Sequence, residues 1–389
     1  MDDRNGRRFS AAVIEPVGGH GGMVPYDAGL CEALAEAGVD VTLYTSDKTT
    51  IENPLPYRVR RPYRGVYGPD AAWLRGVRYL TASLRALLGA RHDGARVVHF
   101  HFFHVGMLEF FNVLVARLLG LGVVTTAHDV RPFAGRAFAP WMAMAAYRLA
   151  DRVIAHSETA RRELLQILGV SKTKVSVIPH GNYLRSMGEI PDQAEARSRL
   201  GLKRNSKVLL FFGQIKEVKG LDILLRAMPE VVEAHEDAVL LIAGKVWKDD
   251  WGRYQGAAKA LEDTGNCLCR VTYIPEPEVP DYYASADAVV LPYRRIYQSG
   301  VLLLAMSYGK PVVVSDIEGM TEVVEDGANG YVFPSGEAPA LAEKLSEALS
   351  DPDRLRAVGR AGLSYVTERH DWAHIGRKTA ECYGGIRRV

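Results

Sequence analysis

Short apolar runs rich in β-branched residues alternate along this chain with longer stretches in which apolar residues recur every three or four positions. In the first half the short runs fall at 9–14, 39–45, 97–102, 123–126, 152–155 and 175–178, and helical periodicity fills most gaps, as in 27–37 closing on Gly38. The pattern restarts in the second half, with runs at 208–212, 239–243, 271–274, 289–291 and 312–314, helices at 221–232 and 301–308, and further helices from Glu337 onward. Alternation of this kind predicts parallel sheets covered on both faces, so the fold class is α/β, two doubly wound domains in tandem. Residues 182–204, with Gly188, Pro191 and a charged run, read as a linker plus a short amphipathic helix. The expected domains are therefore 1–190 and 191–370, followed by a terminal segment 371–389.

Composition narrows the class. The 389 residues are 48% hydrophobic and 24% charged, with a net charge of +2, which excludes disordered and collagen-like chains. So balanced a charge also argues against a nucleic-acid partner held by bulk positive potential. Charge is nevertheless uneven, +6 through Ile190 and −4 beyond it. Segment 48–91 concentrates Lys48, Arg58, Arg60, Arg61, Arg64, Arg75, Arg78, Arg85 and Arg91 among Tyr57, Tyr63, Tyr67, Trp73 and Tyr79. It reads either as a solvated surface or as a platform for an anionic acceptor or a peripheral membrane contact. Cys31, Cys267, Cys269 and Cys382 lack the spacing of zinc or redox motifs, and residues 1–8 carry no apolar leader. Reduced thiols and a cytoplasmic location are expected, with no membrane span.

The chemistry-bearing residues follow strands, where doubly wound sheets bind ligands in the cleft between facing domains. Gly18, Gly19, Gly21 and Gly22 come after the first strand and let backbone approach a ligand ahead of a helix. Their spacing is not that of a dinucleotide loop, and no nicotinamide or flavin cofactor is expected. After run 208–212 a loop presents Gln214, Lys216 and Lys219 before Gly220 opens a helix. After run 289–291, Arg294 and Arg295 precede Gln298, Ser299 and Gly300, which start another helix with unpaired N–H groups. Lysine, arginine and helix tip together would compensate a diphosphate without a metal. His99, His101 and His104 alternate, with His99 and His101 on one strand face, but no Asp, Glu or Cys completes a ligand set nearby in sequence, so no metal is expected. His180, at the end of a strand before Gly181, reads as a cleft residue or as part of a linker, while His128, after run 123–126 and beside Asp129, reads as a satisfied core histidine unless a ligand meets it.

Taken together, the Gly-rich loop, Thr-Ala-His-Asp at 126–129, the segments 177–181 and 212–220, 305–312 and 319–330, and a terminal helix after Trp372 resemble the retaining family 4 glycosyltransferases of the GT-B fold. The resemblance implies two Rossmann-like domains facing a cleft, and a C-terminal helix crossing back to the first. It also implies transfer of a hexose from a nucleoside diphosphate sugar to a hydroxyl of a glycan, lipid-linked or small-molecule acceptor, with retention. His128 and Asp129 would then meet the transferred sugar or acceptor as catalytic residues. Gly21, Gly22, Gln214, Lys219, Arg294, Gln298, Ser299, Gly300 and Glu322 would bind the donor. This chain departs from the family by placing Ile296 and Leu304 where a Glu-x7-Glu pair is usual, and Gln214 where an arginine is usual. A nucleotide-sugar-binding scaffold that has lost catalysis and a sugar-nucleotide epimerase are the competing readings.

Overall fold

The computed structural model describes residues 9–18, 22–51, 54–131 and 140–386. It divides into two units, residues 1–181 with 370–389, and residues 182–369. The first boundary precedes the expected residue 190, because Asn182 donates to the Val366 carbonyl and the Tyr183 amide donates to Ser307 Oγ, fastening the start of the linker to the second unit.

In the first unit the elements run β1 (Ser10–Glu15), α1 (Met23–Glu36), β2 (Asp40–Ser46), β3 (Arg58–Tyr63), α2 (Ala72–His92), β4 (Val97–Phe102), α3 (Met107–Leu118), β5 (Gly122–Ala127), α4 (Pro140–Leu149), β6 (Arg152–Ala155), α5 (Glu158–Gln166) and β7 (Val175–Val177). They form a parallel seven-stranded sheet of order β3-β2-β1-β4-β5-β6-β7. The order reverses between β1 and β4, so the carboxyl ends of those two strands flank the switch point where such sheets take ligands. Strand β3 escapes the periodicity analysis because an edge strand carries charge, here Arg58, Arg60 and Arg61, and tolerates Pro62.

The second unit runs α6 (Gln193–Leu200), β8 (Lys207–Phe212), α7 (Leu221–Ala234), β9 (Ala238–Ala243), α8 (Gly252–Asp263), β10 (Cys267–Arg270), α9 (Val279–Ser285), β11 (Ala288–Leu291), α10 (Gly300–Ser307), β12 (Val312–Ser315), α11 (Glu318–Thr321), β13 (Tyr331–Phe333), α12 (Ala338–Ser350) and α13 (Pro352–Arg369). Its parallel sheet has the order β10-β9-β8-β11-β12-β13, with the switch between β8 and β11. The strand expected at 271–274 is instead β10, whose residues Cys267–Arg270 pair with Leu240–Ala243. Cysteine is a poor strand marker in sequence, and the apolar residues that follow belong to the loop.

The last helix, α14 (Trp372–Gly384), belongs to the first unit and packs along α1. Its Trp372, Ile375, Ala380 and Tyr383 join the apolar cluster of Val13, Leu30 and Leu34. Burying a side chain of this size contributes about 1.5–3 kcal/mol, which holds a helix distant in sequence against its start. The helices approach closely enough that a Cβ on Gly376 would lie 2.4 Å from the Ala33 carbonyl oxygen.

Candidate active site

The carboxyl ends of the first sheet carry a buried assembly of titratable and aromatic side chains. Glu15 closes β1, His99 and His101 lie in β4, His128 follows β5, His156 follows β6, and His180 lies beyond β7. Tyr26, on α1, stands among them, its ring centroid 5.2 Å from that of His101, 5.1 Å from His128, 5.6 Å from His156 and 4.7 Å from His180. Parallel strands deliver these residues to one edge: Glu15 is the last residue of β1, His128 and His156 are the first after β5 and β6, and His101 lies one residue before the end of β4.

His128 is buried, its amide donating to the Phe102 carbonyl and its ring stacked on Phe103 at 4.7 Å. Burial, reinforced by His156 and the other neighbouring histidines, holds its pKa well below the ordinary value. It is therefore a neutral imidazole at physiological pH, and its Nε2 finds no hydrogen-bond partner among the described residues. Asp129 beside it is half-buried. His99 does have partners on both ring nitrogens, Tyr383 Oη at 2.8 Å and Thr126 Oγ1 at 2.7 Å, which makes it a core histidine joining β4, β5 and α14. His180 Nδ1 bonds the Gly181 carbonyl, and His370 Nδ1 bonds the His180 carbonyl.

His101 has different company. Its Nδ1 lies 3.0 Å from Asp27 Oδ1 and 3.9 Å from Glu15 Oε2, and all three side chains are 0–1% exposed. Burial, with the adjacent Asp27, pushes the Glu15 carboxyl up to about 8, and burial raises Asp27 and lowers His101 to about 4. Glu15 Oε1 also accepts from the Val17 amide at 2.8 Å, tying the carboxylate to the turn that leads into the Gly-rich loop. Gly21 lies outside the described residues. Gly22 caps α1, its carbonyl accepting from the Tyr26 amide.

In the second unit, β8 runs through Gly213 into the expected loop, with Gln214 exposed and Lys219 half-buried. Lys219 Nζ lies 3.6 Å from the ring centroid of the buried Tyr293, just past β11, a cation–π contact that aims the ammonium at the carboxyl ends of β8 and β11. The loop ends at Gly220 with φ +67°, and a Cβ there would fall 1.8 Å from the Pro292 carbonyl oxygen. Only glycine permits both conformation and approach.

Helix α10 begins where the pattern places it. Ser299 Oγ accepts from the Leu302 amide, the ordinary N-cap arrangement, while Gln298 keeps a buried side-chain oxygen without a partner among the described residues. A Cβ on Gly300 would meet Tyr183 Oη at 2.6 Å, so a buried phenol overlies the helix tip. Arg294 is committed elsewhere. Its guanidinium forms a bidentate pair with Asp222 at 2.7 and 2.6 Å and donates to the Glu217 carbonyl, clamping the lysine loop to α7. In this structure the guanidinium supports the loop that carries Lys219. Glu322 caps the end of α11 and lines a cavity of about 590 Å³ with Glu325, Asn329, Ser364 and Tyr365. The lining of that cavity includes no lysine or arginine and no residue of the Lys219 loop. Ile296 and Leu304 are partly buried against the apolar cluster under β11 and β12.

Sequence reasoning missed Glu15, Asp27, Tyr26, His156, Tyr183 and Tyr293. Glu15, His156 and Tyr293 stand just past apolar runs, Tyr26 and Asp27 at the start of a helical one and Tyr183 in the linker, and which of them meet depends on the fold, which local pattern does not encode.

Two family models match the chain, "Glycosyltransferase Family 4" over residues 20–182 and "Glycosyl transferases group 1" over residues 206–351. A D-inositol 3-phosphate glycosyltransferase of Thermobispora bispora is 27% identical, covering 94% of this chain and 90% of its own length. Among solved structures, Anabaena HepE in complex with UDP and glucose superimposes with a TM-score of 0.74 at 18% identity, covering 97% of this chain and 100% of its own. The catalytic domain of starch synthase IV from Arabidopsis thaliana, bound to ADP and acarbose, does so with a TM-score of 0.76 at 14% identity, covering 97% and 99%. Both likenesses extend over both units.

Proposed function

Because the chain belongs to the group 1, family 4 glycosyltransferases of the GT-B fold, we propose that it moves a hexose from a nucleoside diphosphate sugar to a hydroxyl of a lipid-linked glycan, with retention of configuration. The observation that carries the donor reading is the pairing of Lys219, held over Tyr293, with the tip of α10 at adjacent strand ends. The UDP and ADP in the two structures above support a nucleoside diphosphate sugar as the kind of donor. Relatives matched over nearly the whole chain are named D-inositol 3-phosphate glycosyltransferases, which supports the transferase reading over the scaffold and epimerase readings.

Breaking the anomeric bond leaves negative charge on the departing diphosphate while the sugar gains oxocarbenium character. Preorganised positive charge and N–H dipoles at that point lower the barrier, a service worth about 2.7–4 kcal/mol per donor group. Lys219 and the N–H groups of Gln298, Ser299 and Gly300 supply it, assisted by Gln214, so the diphosphate needs no metal and the reaction no organic cofactor. His128, neutral because of its burial, would hold a hydroxyl of the sugar or acceptor, with Asp129 beside it and Gly21 and Gly22 offering backbone. Retention follows if the leaving phosphate oxygen accepts the proton of the hydroxyl arriving on the same face.

The lipid-linked acceptor rests on the surface of the first unit. No described helix is long and apolar enough to cross a membrane. Helix α2 nonetheless exposes Trp73, Val77, Leu84 and Leu88 along one stripe, and the neighbouring α3 exposes Met107, Leu114 and Leu118. With the basic side chains of segment 48–91 around it, such a face suits the headgroup layer of an anionic membrane. The thiols are free, in keeping with the cytoplasmic side.

A melting-temperature screen against uridine, guanosine, thymidine and adenosine diphosphates and their sugars tests the donor, since a ligand of the native state raises Tm. One family of nucleotides should stabilise the protein, and slow release of its diphosphate from the sugar nucleotide should follow. Absence of any shift at millimolar nucleotide, together with absence of release, would sink the reading. Flotation with phosphatidylglycerol vesicles, set against neutral phosphatidylcholine, tests the membrane face.

A further inference from the structure

We propose that Glu15, Asp27 and His101 form a binding site for one divalent transition-metal ion, of the Mn²⁺ or Zn²⁺ class, in the first unit. Each offers a ligand atom, and these atoms all lie within 4.8 Å of one another. Atoms bound to one ion at about 2.0–2.2 Å stand about 3–4.2 Å apart, and the separations of 3.0 Å and 3.9 Å from His101 Nδ1 already fall in that range.

The second observation is electrostatic. Glu15 Oε2 and Asp27 Oδ2 are buried and have no hydrogen-bond partner among the described residues. Among the described residues no lysine or arginine forms an ion pair with Glu15 or Asp27, and His101 is the one side chain paired with both. Two acidic groups enclosed with one imidazole leave lone pairs that a protein interior rarely tolerates, and a dipositive ion would satisfy both. Two carboxylates and one imidazole are hard and borderline ligands, a set matched to Mn²⁺, Fe²⁺ or Zn²⁺ rather than to soft copper(I). The ligands come from β1, α1 and β4 at the switch point of the sheet, so the ion would knit three elements together. Through the Glu15 bond to the Val17 amide it would also fix the turn leading into the Gly-rich loop. The site lies within the first unit and the Lys219 loop within the second, and the inference stands independently of the donor reading.

The test is a titration of chelator-treated full-length protein with MnCl₂ in the absence of nucleotide, read by the electron-spin signal of free Mn²⁺, followed by competition with ZnSO₄. Omitting nucleotide removes any ion carried by a diphosphate. One saturable site per chain is expected, with a Tm that rises on loading. Glu15→Gln and Asp27→Asn, which keep shape and neutral hydrogen bonding, should each weaken binding at least tenfold. Folded wild-type protein that shows no saturable site for either ion overturns the proposal even if both variants misfold. So does binding that survives unchanged in both folded variants.

Discussion

Replacing Lys219 by alanine is the sharpest perturbation of the donor reading. An ammonium about 4 Å from one phosphate charge at an effective dielectric near 20 contributes about 4 kcal/mol of attraction, the order lost when one transition-state donor is removed. At about 1.4 kcal/mol per decade, kcat/KM should fall about 100- to 1000-fold. The cost to the fold is far smaller. Lys219 is half-buried, and its contact 3.6 Å over Tyr293 is worth about 0.5–1 kcal/mol, or a few degrees in Tm. The measurement is initial rates of sugar transfer, or of donor hydrolysis, alongside thermal unfolding of the same preparations. Lys219→Arg should recover part of the rate, since it restores charge with a different shape. A Lys219→Ala protein that melts like wild type and turns over within threefold of it would refute the assignment of the diphosphate to this loop.

Three further outcomes follow from the geometry. Gly300→Ala should destabilise by about 1–3 kcal/mol and weaken nucleotide binding, because its Cβ meets Tyr183 Oη at 2.6 Å; adding Tyr183→Phe should restore most of both, and failure of that rescue would show that another contact is at fault. His128→Ala should lower kcat about 10- to 100-fold with little change in the donor KM, as expected for one lost hydrogen bond to the reacting sugar, and an unaltered kcat would return His128 to a packing role. Lys310 gives a pH dependence: burial lowers its pKa to about 8, its Nζ donating to the Ala284 and Ala286 carbonyls, whereas the unfolded chain titrates near 10.5. Between those values the unfolded state binds more protons, so this residue makes stability rise with pH by about 3 kcal/mol in all, and it contributes no slope below pH 8. Urea unfolding of wild type and Lys310→Met should diverge across that window and run parallel beneath it.

Much of this protein was legible before any coordinates. The two tandem α/β domains follow from alternation alone, since β-branched runs bounded by helical periodicity have few other ways to bury both faces. The lysine loop and the start of α10 were legible too, because glycine, lysine and a serine cap act through backbone conformation and charge within a few residues. Strand β3 was not, as its arginines suit an exposed edge, and β10 was displaced because its apolar neighbours sit in a loop. The division near residue 181 required knowing that Asn182 and Tyr183 bond to partners over a hundred residues away.

Local sequence also presents Arg294 as a cation ready for phosphate, and only the fold discloses Asp222 opposite it. The alternating histidines show the same limit. Sequence put His99 and His101 on one strand face and found no acid beside them. The order β2-β1-β4 then brought Glu15 and Asp27 against His101, while the distant Tyr383 satisfied His99. Short-range pattern determines which elements form, because propensity and burial act over a turn or a strand. Which side chains meet at a strand end is decided by the order in which strands pair, and that order exists only in the folded chain.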